Sequence, residues 1–398
     1  MLFSKKAGTL QMRHIFKSVI DNLIYIESRF HKTEAVYSDR KRRVLILRKD
    51  GLGDCIIFYP TLAAYREFYK GDEITALFPK AFESLSPLLD SIDKVIWFDA
   101  ERFSRNLLYR RRFLLDLKKK GYDIAIYPVY SREQIGDMMI MITAARETVG
   151  FKGGDDSMYS RTITPPDHMR LEMDRDIYFA EEVTGKKSSI AFPTIDIKRL
   201  PLGTSPELVR RYSLDKNSFV IVFPGAGGAY KIWPPERFAA IIDYLAGRNM
   251  TPVLCGNPAE IELSREILSH ARHADKAVNL SGQTDLPTLA HLLTRSKLYF
   301  GSDTGILHLA IALGTPSVAL TWRGSYGRFF PYGDLSRNVA LHTHYGSSNE
   351  TDTTDKPLLE LGKLHPSIED ISVEQALEEL EKAMRANTFG LKSDTIGL

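Results

Sequence analysis

Short runs of unbroken apolar residues recur along the chain, each bounded by glycine, proline or charge and each followed by a stretch with helical spacing. The first is Val44-Leu45-Ile46-Leu47, after which a glycine-rich turn leads into a helix predicted over residues 56–69. Further runs at 73–78, 94–98 and 123–127 continue the series, with a helical pattern at 103–119. A continuous apolar run of four to six residues suits a strand buried on both faces, and its alternation with helices predicts a parallel sheet. A second series begins at Phe219, with strands predicted at 219–223, 251–255, 297–300 and 317–321 and helices at 235–246, 260–270, 286–294 and 304–313. Gly314-Thr315-Pro316 stops the last of these. Residues 153–203, between the two series, are rich in Gly, Pro and charge, so the interdomain connection is placed towards their end.

Outside the two series, residues 12–30 carry Ile15, Phe16, Val19, Ile20 and Leu23 at helical spacing. Such a stripe docks on its own domain or lies on a membrane surface, and both readings stand. The pattern divides the chain into an N-terminal helix and linker (1–40), a first Rossmann-like domain (41–200), a second (201–365), and a C-terminal helix and tail (366–398). Residues 345–355 read as an exposed polar loop, residues 373–384 as a last amphipathic helix, and the tail from Ala386 as frayed.

Composition narrows the class. The chain has 398 residues, 43% of them hydrophobic, enough for a core in each half. Lys and Arg total 53 against 50 Asp and Glu, a net charge of +3 that does not argue for nucleic acid. Cys55 and Cys255 are two lone thiols, read as excluding a disulfide framework or a four-ligand zinc site and as suiting a reducing cytoplasm. No 18-residue apolar run is present and Met1–Lys6 lacks a signal-peptide core, so a cytoplasmic protein is expected, with peripheral contact at the inner membrane left open.

Three segments carry candidate chemistry, each following a predicted strand. Arg48-Lys49-Asp50-Gly51-Leu52-Gly53-Asp54 has two glycines of a dinucleotide fingerprint, but the third would fall at Ile56, and Asp54 would set a carboxylate where pyrophosphate should rest. Asp54 is either a general base facing an interdomain cleft or an N-cap with no chemistry. Gly225-Ala226-Gly227-Gly228 followed by Lys231 is not a Walker loop, yet small residues there let amides approach a diphosphate and Lys231 supplies a point charge. Tyr299-Phe300-Gly301-Ser302-Asp303-Thr304-Gly305 with His308 runs strand, turn and helix together and aims free amides at an anion, with Asp303 as a natural N-cap. Glu260, just past the strand predicted at 251–255, can accept from ribose hydroxyls or serve as a first-turn acid. Trp233-Pro234 reads as a structural helix start. Arg110-Arg111-Arg112 and Lys118-Lys119-Lys120 are solvated faces or the border of an acidic acceptor groove.

In this order and spacing, from Val44 to Gly333, the three segments resemble glycosyltransferase family 9, the bacterial lipopolysaccharide heptosyltransferases. The block from Ser302 to Pro316 is the most specific. The resemblance implies a GT-B fold, two facing Rossmann-like domains with the acceptor on the N-terminal side and the donor on the C-terminal side. It implies an inverting, metal-independent transfer with no cofactor, from a nucleoside-diphosphate sugar such as ADP-heptose to a glycan or lipid-linked acceptor. Asp54 would be the base, with Gly51 and Gly53 on the acceptor side. Gly227, Gly228, Lys231, Glu260, Asp303, Thr304, Gly305 and His308 would bind donor. Departures at the first 40 residues, at residues 345–355 and at Gly227-Gly228 leave donor identity open. A sugar-nucleotide epimerase or hydrolase of the same fold and a non-catalytic nucleotide-binding assembly protein remain as alternatives.

Overall fold

The computed structural model describes residues 41–189, 192–216, 218–322, 325–333, 335, 337–341 and 367–388. The expected helix at residues 12–30, the polar stretch at 345–355 and most of the tail lie outside the described residues.

Two six-stranded parallel sheets form the frame. The first holds β1 (Arg43–Leu47), β2 (Glu73–Pro79), β3 (Lys94–Phe98), β4 (Ile124–Tyr127), β5 (Glu147–Phe151) and β6 (Arg161–Ile163) in the order β3-β2-β1-β4-β5-β6. The second holds β7 (Phe219–Phe223), β8 (Thr251–Leu254), β9 (Val278–Asn279), β10 (Tyr299–Ser302), β11 (Ser317–Leu320) and β12 (Asn338–Leu341) in the order β9-β8-β7-β10-β11-β12. The topology is therefore the same twice. Each domain starts at its centre, winds to one edge, returns to the centre and winds to the other edge, which is the doubly wound order of nucleotide-binding sheets.

Local differences from the expected elements have physical causes. The predicted helix over 56–69 starts earlier and breaks into Leu52–Phe58 and Leu62–Phe68, because Pro60 in the short turn between them has no N–H to donate. The predicted helix over 103–119 divides at Asn106, whose side chain accepts from the Tyr109 amide at 2.9 Å and so starts a new helix, Leu107–Lys119. Strands β5, β6, β9 and β12 were not anticipated. Nor was the helix Glu172–Thr184, which ends on Gly185 in the left-handed region at φ 69°. It lies inside the stretch 153–203 read as rich in Gly, Pro and charge, and carries Glu172 and Asp176.

The strands alternate between two cores. Val44 and Ile46 of β1 belong to one that also takes in Ile56, Ile57, Ile221, Leu307 and Leu309, so a single apolar core crosses the domain boundary. Leu45 and Leu47 face a separate core on the outer side of the first sheet. On the outer side of the second sheet, Val220 and Val222 pack with Ala376, Leu380 and Ala383 of the helix Val373–Thr388. Trp233 is fully buried there, and its indole N–H donates to the Ile371 carbonyl at 2.8 Å, a structural role as expected.

Candidate active site

In a doubly wound sheet, the connections leave the two central strands in opposite directions and open a crevice at their C-terminal ends. In the first sheet this place lies between β1 and β4, and residues 48–54 and 128–133 fill its rim. In the second it lies between β7 and β10, rimmed by residues 224–231 and 303–305. Each of the three nominated segments thus sits at one of these crevices, and the topology brings them to a common edge.

Asp54 occupies the third position of the helix Leu52–Phe58, where its Oδ2 accepts from the Gly51 amide at 3.0 Å. A Cβ on Gly51 would stand 2.9 Å from that oxygen, so the glycine gives the carboxylate room to close the cap. Behind it Arg48 is buried, its Nη1 donating to Asp176 Oδ1 and to the Pro128 carbonyl, both at 2.7 Å, with Nε 3.0 Å from Asp50 Oδ1. Asp50, Asp54 and Asp176 therefore crowd around one guanidinium, and the charge of Glu172 acts on all three carboxyls. Burial, and then the charge of Asp50, push the Asp54 carboxyl up from the ordinary 3.8 to about 6, with Arg48 opposing them. Such a group is ionised at neutral pH and more basic than a free aspartate, as a general base requires.

Across the boundary, Asp303 stands just beyond β10 with a side chain only 6% exposed, and its Oδ2 has no hydrogen-bond partner. Burial pushes this carboxyl up from 3.8 to about 6 as well, countered by Lys231 and a bond from Ser325. Lys231 Nζ lies 5.4 Å from the Trp322 ring and 5.7 Å from the Tyr230 ring, and the two rings meet edge to face. Glu260 closes the turn before its own helix, Oε2 accepting from the Asn257 amide at 2.8 Å. A Cβ on Gly225 would come within 2.0 Å of the Glu260 carboxylate, so this glycine is what lowers the loop onto the acid. Gly227 faces open space, whereas Gly228 lies against the Tyr230 ring.

The expected cap moves by one residue. Thr304, not Asp303, is the N-cap of Gly305–Ala312, its hydroxyl accepting from the Ile306 amide at 3.3 Å. Because β10 runs on to Ser302, the cap falls one position later, which leaves the Asp303 carboxylate free of capping duty and its buried Oδ2 without a hydrogen bond.

His308 is buried, with Nδ1 2.8 Å from the Tyr332 hydroxyl and the two rings stacked. Burial pushes the imidazole down to about 4, so it is neutral near pH 7 and brings no positive charge. Its Nε2 lies 3.9 Å from Asp303 Oδ1. A Cβ on Gly53 would sit 2.6 Å from His308 Cδ2, and one on Gly305 would sit 3.0 Å from the Gly53 nitrogen. Gly53, Gly305 and His308 therefore form one contact between the domains, one helix start laid on the other with Leu52 also against Gly305.

Several groups in this site carry no local signal in the sequence. Arg48 could have been suspected from its position directly after an apolar strand, but Asp176, Glu172, Trp322 and Arg328 are marked by nothing nearby. Of the basic runs, Arg110 is buried over the Phe103 ring, while Arg111 and Arg112 face solvent two strands from β1. Both cysteines are buried and free. Among the described residues no three His, Cys, Asp or Glu side chains group as metal ligands, and no helix is long and apolar enough to cross a membrane.

Comparison with known proteins places this arrangement. The family model of glycosyltransferase family 9 (heptosyltransferase) matches residues 110–358, more than half of the chain. The chain belongs to glycosyltransferase family 9. The matched span takes in the glycine-rich loop and the Asp303 turn and begins after Asp54. This family 9 chain is 30% identical over 177 residues to lipopolysaccharide heptosyltransferase 2 of Salmonella typhimurium, covering 44% of this chain and 49% of that one. It is 24% identical over 286 residues to lipooligosaccharide heptosyltransferase 2 of Haemophilus ducreyi, covering 69% and 81%. The chain spans about half the length of the curated relatives that it matches at 30% identity. Among solved structures, a family 9 glycosyl transferase from Veillonella parvula superposes with a TM-score of 0.70 at 20% identity, covering 87% of this chain and 99% of that one. The ADP-heptose lipopolysaccharide heptosyltransferase II of E. coli superposes with a TM-score of 0.66 at 20% identity and the same coverage. These likenesses show the fold, and the family 9 chain has the GT-B arrangement of two facing Rossmann-like domains.

Proposed function

We propose that this protein is an inverting glycosyltransferase that moves a heptosyl group from ADP-heptose to a lipopolysaccharide core. The observation that supports the reading is the packing of Gly53, the chain neighbour of Asp54, on Gly305 and His308, whose Nε2 in turn lies 3.9 Å from Asp303 Oδ1. Family membership and the names of its relatives support the donor and acceptor classes.

In this reading an acceptor hydroxyl lies against Asp54, whose carboxylate takes the proton as the oxygen attacks the anomeric carbon. The bond to the diphosphate oxygen breaks on the opposite face, so the anomeric configuration inverts. Lys231 and the amides at Thr304-Gly305 face the departing diphosphate and stabilise its charge. The unpartnered Oδ2 of Asp303 accepts from a sugar hydroxyl, and Glu260 from the ribose. We take the transfer to need no metal. The reading places the reaction in the cytoplasm or at the inner face of the membrane.

The test incubates the purified protein with ADP-heptose and truncated lipopolysaccharide in EDTA. The acceptor should gain the mass of one heptose with release of one ADP, and the new linkage should have the anomeric configuration opposite to the donor's. ADP release that does not depend on acceptor would favour the hydrolase reading, and no turnover with bound ADP the assembly-protein reading.

A further inference from the structure

One loop of the C-terminal domain, residues 325–333 after β11, reaches both halves of the site. Ser325 bonds the Asp303 carboxylate, and the Tyr332 hydroxyl meets His308 at 2.8 Å. Between them Arg328 crosses into the other domain. Its Nε donates to Glu172 Oε1 at 2.8 Å, its Nη2 donates to Ser131 Oγ at 2.6 Å, and its carbonyl accepts from the Glu172 amide at 2.8 Å. Ser131 belongs to the loop after β4 on the rim of the first crevice, and the Glu172 side chain is 6% exposed. Three bonds thus tie one residue of the donor domain to two elements that enclose the acceptor crevice.

We propose that Arg328 is a positioning residue for the base: its clasp on Glu172 and Ser131 sets the charge around Asp54, so that the base is fully competent only while the donor domain is docked. The inference rests on the reading of Asp54 as general base. The groups that face Asp54 come from three elements. Its own turn supplies Arg48, Asp50 and the Gly51 amide, the helix Glu172–Thr184 supplies Glu172 together with Asp176, which is bonded to Arg48, and the helix Gly305–Ala312 lays the neutral His308 against the neighbouring Gly53. Glu172 is one of the groups that raise the Asp54 carboxyl, and Arg48 and the Gly51 amide lower it. Arg175 also bonds Glu172, at 3.2 Å, but it sits on the same helix and cannot report where the other domain is. Arg328 can, and its loop also holds Asp303, so one segment links the donor pocket to the base.

The signs follow from charge. Arg328→Gln removes a cation, leaves Glu172 less compensated and should move the acidic limb of the kcat–pH profile up by about half a unit, the size expected of a unit charge near a partly buried carboxylate. Glu172→Gln should move it down by a similar amount, and the double variant should lie between them. Arg328→Lys keeps the charge and should leave the limb nearly in place, although it loses the two-pronged grip. Transfer is followed with ADP-heptose and truncated lipopolysaccharide from pH 5 to 9, with thermal melts to confirm folding. Carboxyl-labelled aspartate, with Asp54→Asn to assign the signal, gives the Asp54 titration without substrate and should shift in the same directions. A merely structural role would lower activity without moving the limb, and an unmoved limb in folded Arg328→Gln, with Asp54→Asn inactive, would overturn this proposal alone. Retained transfer by Asp54→Asn would overturn the base reading and this proposal with it.

Discussion

Replacing Asp303 by asparagine should make the ligand-free protein more stable at neutral pH, although the residue belongs to the proposed donor pocket. The carboxyl is 6% exposed, its Oδ2 has no partner, and it titrates near 6 instead of the ordinary 3.8. Between those values the folded protein holds a proton that the unfolded chain has released. Stability therefore falls as pH rises from about 4 to about 6, and the whole cost is present above about 6.5. A shift of about two units corresponds to about 3 kcal/mol. Asparagine keeps the shape and removes the charge, so it should recover about 1 to 3 kcal/mol at pH 8 and well under 1 kcal/mol at pH 4. For a domain of this size the gain at pH 8 is roughly 3 to 8 °C in Tm. Thermal melts of both proteins at pH 4 and pH 8, without nucleotide, are the assay. An Asn variant no more stable than wild type at pH 8, or a difference equal at both pH values, would refute the reasoning.

Lys231→Ala should weaken ADP binding about tenfold or more by calorimetry, since it removes the charge that is proposed to face the diphosphate; equal affinity would remove Lys231 from the donor site. Gly53→Ala should cost about 1 to 3 kcal/mol, because its methyl would fall 2.6 Å from a His308 ring already held by Tyr332, and an unchanged Tm would mean that the boundary yields freely. Arg48→Met leaves the buried Asp176 and the partly buried Asp50 without their cation, and a loss of about 3 to 5 kcal/mol in denaturant unfolding is expected.

What could be read from the sequence follows from how locally each feature is encoded. Strands β1 and β7 are buried on both faces and stand out as unbroken apolar runs, and the Gly-Asp and Asp-Thr-Gly turns put their chemistry within a few residues of a strand end. β5, with the sequence ETVGF, hides because Gly150 makes way for the Tyr159 ring, and β9 is two residues long. The helix Glu172–Thr184 mixes five acids and an arginine into its apolar stripe and does not look like a core helix. The site divides the same way. Asp54, Lys231 and Asp303 sit in recognisable turns, whereas Arg48 and Asp176 meet across 128 residues and Glu172 and Arg328 across 156, and no local pattern marks such partners.

The central claim is that Asp54 is the base of a transfer reaction whose donor is held by the other domain. It is tested most directly by measuring, on Asp54→Asn, ADP affinity by calorimetry and heptose transfer to truncated lipopolysaccharide in the same preparation. The account predicts unchanged ADP affinity with transfer reduced by about 10² to 10⁴. Transfer at the wild-type rate with ADP still bound would contradict it.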